Sequence, residues 1–140
     1  MSMEAFVAPV RLLVVCIACF WGSSSAGQEA LLDGASFAGV LWELTASYEG
    51  DADWLVFSDG RLVSQACQDY GFEGAEYRAF REDGLVHFEA TAVSPKHGTM
   101  VWKGIRNGNR IEASVVWTKE RWYWWDLRRE YLFTGHHIGQ

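Results

Sequence analysis

Cysteine is scarce in this chain: Cys16, Cys19 and Cys67 are all there is. The first two lie in an N-terminal stretch that reads as a removable leader, so Cys67 is the one thiol of the mature protein and no intrachain disulfide can form. Cohesion must come from a core and a hydrogen-bond ladder. Basic residues are also missing over a long span: Glu29 to Asp59 contains seven acids and no Lys or Arg, and the formal net charge is −6. An acidic chain is a poor match for the phosphate backbone, which excludes sequence-independent nucleic-acid binding. No segment keeps helical periodicity over ten residues, which removes α-rich folds. Gly-x-Ser-x-Gly elbows, phosphate-cradling loops and the His-x-His or His-Glu-x-x-His spacings of metal sites are absent too.

What is present begins with export. Arg11 precedes an apolar run, Leu12 to Trp21, of signal-peptide rather than membrane-spanning length, and Gly22 to Ala26 supplies the small residues of a cleavage box. Residues 1–26 are expected to be a signal peptide and 27–140 a single domain, periplasmic or extracellular. The competing reading is a lipoprotein signal acylated at Cys19. Beyond the leader no run reaches membrane length.

The mature chain alternates. Leu85 to Val93 sets Val86, Phe88, Ala90 and Ala92 against His87, Glu89 and Thr91; Thr99 to Ile105 and Arg110 to Trp117 continue the period-2 pattern. Asn107-Gly108 between them predicts a two-residue type I′ hairpin. Upstream, strands are expected over Phe37–Ala46, Trp54–Phe57, Arg61–Cys67 and Ala75–Arg81, with Tyr48 to Asp53 an acidic turn and Asp59-Gly60 a hairpin turn. A last strand covers Glu130–Gly135, and His136 to Gln140 is expected to be loose. About eight strands joined to their neighbours predict an all-β, antiparallel up-and-down meander forming a closed or nearly closed barrel. A two-sheet sandwich is the alternative.

With an aromatic first strand and a closing Phe133-Thr134-Gly135, this plan resembles the calycin type of small secreted barrel, lipocalin-like or avidin-like. The resemblance implies a barrel with room for one ligand. It carries over no ligand contacts: where lipocalins have Gly-x-Trp, this chain has Gly39-Val40-Leu41-Trp42.

Candidate site residues fall into two groups. Trp42, Phe88, Met100, Trp102, Trp117 and Tyr131 form an expected inward set, either an aromatic-lined cavity or a packed core interlocked with Ala90, Ala92, Gly104 and Ala113. The segment Arg121 to Arg129 holds four consecutive rings, of which Trp122 and Trp124 are taken as a mouth; four such neighbours cannot share one face of a strand. They are either a contact surface or a plug. Glu43, Glu89 and Glu112 are expected on polar faces without a cleft, and the histidines without convergence, so no enzyme activity, cofactor or metal is expected. The function expected is non-enzymatic binding of a small apolar or aromatic molecule in the cavity or mouth. The alternative is a protein-interaction module, a periplasmic inhibitor or envelope accessory protein, using the edge Trp122 to Arg129.

Overall fold

A computed structural model describes residues 31–139; the expected leader, with its cleavage box and Cys19, lies outside the described residues. Eight strands follow in order: β1 (Ser36–Glu43), β2 (Asp51–Ser58), β3 (Arg61–Ser64), β4 (Ala75–Glu82), β5 (Leu85–Ser94), β6 (Gly98–Asn107), β7 (Arg110–Lys119) and β8 (Leu127–His137). Each pairs antiparallel with the next, and β8 returns to β1, giving a closed barrel. First-with-last pairing leaves no open sheet edge of the kind that invites aggregation. The architecture is the one expected, and it is compatible with the calycin plan.

Both β-hairpins with Asp-Gly tips have the geometry that chemistry demands. Asp59 and Gly60, and Asp83 and Gly84, all sit at positive φ, as both central residues of a type I′ turn require. The third hairpin corrects the expectation. Asn107 pairs with Arg110, so Gly108-Asn109 is the tip, and of the two only Gly108 has positive φ. That is the signature of a type II′ turn with Gly first.

Parity along the strands decides what fills the barrel. Phe37, Leu41, Leu55, Phe57, Tyr77, Phe88, Trp102, Val115 and Phe133 are buried in one core. Phe57 stands at its centre, edge-on to Phe37, Tyr77 and Phe88 with centroids 6.1, 5.0 and 5.2 Å away. Opposite Phe88 lies Gly104, and a side chain there would collide with the Phe88 ring. Small residues thus interlock with large ones. The core begins before β1: Leu32 is buried within the strap 31–35, which crosses one end of the barrel and is fixed by Gly34 N–H to Phe57 O and Phe57 N–H to Ala35 O.

Several boundaries differ from the sequence reading: β1 ends at Glu43 rather than Ala46, and β8 begins at Leu127 rather than Glu130, which takes Arg128 and Arg129 into the strand. Asp51 to Asp53 belongs to β2 rather than to a turn, and His136 and His137 are paired in β8 rather than loose. The chain also makes one helical turn, α1 (Gln65–Gln68), where a strand end was expected. Ser64 caps it by accepting from Cys67 N–H, and the Ser64 hydroxyl in turn donates to the buried Asp53 carboxylate at 2.6 Å.

Candidate functional site

The two ends of the barrel have different connections. The end where β1 begins carries the strap and the three two-residue hairpins; the end where β1 finishes carries the three-residue turn 95–97 and the longer loops 44–50, 65–74 and 120–126. All expected mouth residues are at this second end, which is built in three layers.

The lowest layer is the flap 65–74. Phe72 and Cys67 are buried beneath it. Asp53 is its anchor: the side chain, 1 % exposed, accepts from Ser64 Oγ and from Ala66 N–H at 2.9 Å. Burial raises the Asp53 pKa, and the hydrogen bonds to Ala66, Ser64, Trp54 and Gln65 offset that only in part. Burial likewise pushes the Cys67 thiol up to about 11, so at neutral pH it is a protonated, unreactive thiol. The void under the flap, lined by Leu62, Ser64, Cys67, Phe72, Ala92 and Trp102 among others, holds about 10 Å³, no more than a single water needs.

The second layer is a row of polar and aromatic side chains on the inner rows of β1, β7 and β8, with Arg129 still exposed at the mouth. Glu43 pairs with Tyr131 across the β1–β8 seam, and its carboxylate meets the Arg129 guanidinium at 3.3 Å. Arg129 also lies over the Trp117 ring, 5.9 Å from its centroid, and Trp117 Nε1 donates to the His97 carbonyl at 2.5 Å. Burial, and then the Glu43 charge, raise the Tyr131 pKa. This ladder of Trp117, Arg129, Glu43 and Tyr131 corrects the expectation that Glu43 lies on a polar outer face: its neighbours Leu41 and Phe37 point inward, and so does it.

The third layer is the loop 120–126. Trp122, Tyr123, Trp124 and Trp125 are 94, 60, 61 and 83 % exposed. Arg121 N–H donates to Asp126 at 3.4 Å, drawing the base of the loop together beneath the rings. The rings pair with one another, Trp122 with Tyr123 at 5.1 Å and 78°, and Trp124 with Trp125 at 5.9 Å and 73°. They do not fold back as a plug. Tyr48 and Tyr70, on the neighbouring loops, are about half exposed as well.

Of the eight residues singled out in the sequence, Phe88, Met100 and Trp102 lie in the core, and Trp117 and Tyr131 pack against it. Trp122 and Trp124 stand outside. Trp42 is misplaced in the expected inward set: it pairs with Leu132 on the outer face, because the inner row of β1 is Phe37, Gly39, Leu41 and Glu43. Apolar residues on both faces of β1 hide this parity, and Gly39 opposite Gly135 is the signal that reveals it. A side chain at Gly39 would strike the β8 backbone. The sequence reading missed Asp53; Tyr123, Trp125 and Arg129 fall within the edge Trp122 to Arg129 named there as a contact surface, though the inward turn of Arg129 was not foreseen.

Two larger depressions lie on the outer wall. One of about 760 Å³ runs beside Arg61, Glu76, Arg78 and Glu89, where β3 and β4 pair over only two residues; one of about 370 Å³ lies between Phe80, Lys103, Ile105 and Leu132. The first mixes charges of both signs, and the second is a shallow apolar strip. Glu89 and Glu112 are exposed, on β5 and β7, and both border the second depression. Among the described residues no group of three His, Cys, Asp or Glu side chains is placed to hold a metal ion, and no helix is long and apolar enough to cross a membrane. Comparison with family models, with curated proteins and with solved structures finds no match to this chain.

Proposed function

We propose that this protein is an exported, non-enzymatic binding module of calycin-like build, and that it makes contact through the aromatic and arginine-bearing rim from Arg121 to Arg129 rather than through an internal cavity. One observation carries the reading: four consecutive large rings on a single loop all keep more than half of their surface exposed, Trp122 and Trp125 nearly all of it. Large exposed apolar patches are uncommon on soluble chains and mark contact sites. Trp, Tyr and Arg are also the residues that most often dominate binding energy.

The small-ligand reading is the weaker one, since the inner rings are packed against one another and the void beside Trp102 is about 10 Å³. A rim contact needs no cavity. It needs a rigid stand and an exposed tip, and the closed barrel supplies the first.

The test is co-sedimentation of the full-length protein with the cell-envelope fraction, comparing wild type with W122S/W124S. The variant should keep its melting temperature and lose most of its sedimentation. Equal sedimentation of the two chains overturns the rim as the contact site.

A further inference from the structure

The residue types, ring geometry and charges of the rim identify what it touches. Resting on the reading just given, the geometry points to a phospholipid bilayer surface as the partner, with Trp122, Tyr123, Trp124 and Trp125 seated among the headgroups and Lys119 and Arg121 beside the phosphates.

Residue type is the first argument. Among the described residues seven Trp and Tyr side chains are strongly exposed, and six of them, Tyr48, Tyr70 and the four loop rings, lie at this one end; Trp54 on the wall is the seventh. Trp and Tyr combine an apolar body with a polar tip, and this is why they gather where hydrocarbon meets water. Leu44 and Val93 are exposed at this end as well, while toward the opposite end the exposed large apolar side chains are Phe80, Ile105 and Ile138, with no Trp or Tyr among them.

Ring geometry is the second. Neighbouring rings cross at 78° and 73°, so the loop offers no coplanar platform on which a flat sugar or base could stack. Rings at differing angles on a protruding tip act as wedges, each able to enter a soft interface independently. A protein pocket would have to match four rings at once.

Charge is the third. Although the chain is acidic, residues 119–130 hold four cations, Lys119, Arg121, Arg128 and Arg129, against three acids. Arg128 and Arg129 are engaged by Glu130 and Glu43, whereas Lys119 and Arg121 form no ion pair among the described residues. Cations beside interfacial rings suit phosphate headgroups, each basic side chain contributing modestly and in a salt-dependent way. Exposed Glu49, Asp51, Asp69 and Glu73 stand on or beside the adjoining loops of the same end, so the attraction to phosphate is local to Lys119 and Arg121 beside the rings, and ring insertion supplies most of the binding.

The experiment uses protein-free vesicles of phosphatidylcholine, with and without phosphatidylglycerol, and the full-length chain as wild type and W122S/W125S. Both chains carry the same apolar run at 12–21, so the difference between them reads the loop alone. Wild type should partition at least about tenfold more strongly than the variant, given the area that two inserted indoles remove from water. Its tryptophan emission should shift to the blue and be quenched by brominated lipid more than the variant's, and phosphatidylglycerol should strengthen binding in low salt. Equal partitioning and equal quenching of the two chains overturn the bilayer as partner. If envelope sedimentation depends on the rings while vesicle binding does not, the rim remains the contact site and its partner is a protein. If neither depends on them, both readings fall.

Discussion

Where β1 begins, the barrel is finished by three two-residue hairpins and a buried strap; where β1 ends, it is finished by a three-residue turn, three longer loops, an inward ion pair and a crown of exposed rings. Large aromatic side chains serve both ends, with opposite fates. At the first end Phe37 is buried against Phe57 and lies beneath the Arg106 guanidinium, 5.3 Å from its ring centroid, and Tyr77 donates its hydroxyl to Asp33 on the strap. Those rings hold the fold together. At the second end, the rings of residues 122–125 stay more than half exposed, and Trp122 and Trp125 bury little on folding, so burial contributes little to keeping them there. An acidic barrel whose one described cysteine is unpaired closes itself at one end and gathers most of its exposed rings at the other.

Truncating a ring of the closed half should give the largest stability effect. F57A removes the side chain that touches Phe37, Tyr77 and Phe88 together, and the cavity left should cost about 3–5 kcal/mol in urea unfolding. A loss under about 1 kcal/mol would mean that the core is not centred there. Y77F is a gentler cut at the same end. It deletes the hydroxyl that donates to Asp33, and with it one tie between barrel and strap; about 1–2 kcal/mol is expected.

At the loop-bearing end, Asp53 gives a pH signature. Its pKa is raised in the fold by burial, so its contribution to stability is fully present below the unfolded value of about 3.9 and is lost as pH rises through the folded value. D53N has no such group. The stability of wild type relative to D53N should therefore fall as pH climbs through that window and level off above it. A difference that grows with pH would show that hydrogen bonding to the charged form outweighs desolvation. Cys67 gives a companion measurement: a thiol reagent at neutral pH should label it only on unfolding, since it is buried with its pKa near 11.

The strands and their neighbour-to-neighbour order could be read because period-2 alternation and Asp-Gly turns are local signals, each complete within about ten residues. Val86 to Ala92 and Ile111 to Trp117 show this well. Trp42 shows the limit: β1 is apolar on both faces, and only the β8 register tells which row turns inward. Glu43 and Arg129 are 86 positions apart, so an inward ion pair between them is invisible to any local pattern. Asp53 was hidden for the same reason, since a buried carboxylate looks like a turn acid until Ser64 and α1 close over it. The exposed loop was legible in kind, because four adjacent rings cannot share one face. Its direction was not legible, since a plug and a crown have the same composition.

The smallest stability effect should come from the most conspicuous residues, and that contrast separates contact from core on a single end of the molecule. W117A and W122A remove the same side chain. Trp117 packs against the core, donates to His97 O and supports Arg129; its loss should cost about 2–4 kcal/mol, somewhat less than a fully buried Trp. Trp122, 94 % exposed, has only Tyr123 as a ring neighbour, so W122A should fall within about 0.5 kcal/mol of wild type, as surface substitutions do. A comparable loss in both would mean that the loop folds down onto the barrel mouth in solution. It would then be a plug after all, and the rings would be unavailable to any partner. Near-neutrality of W122A beside a costly W117A would leave the loop without a structural role and binding as its remaining use.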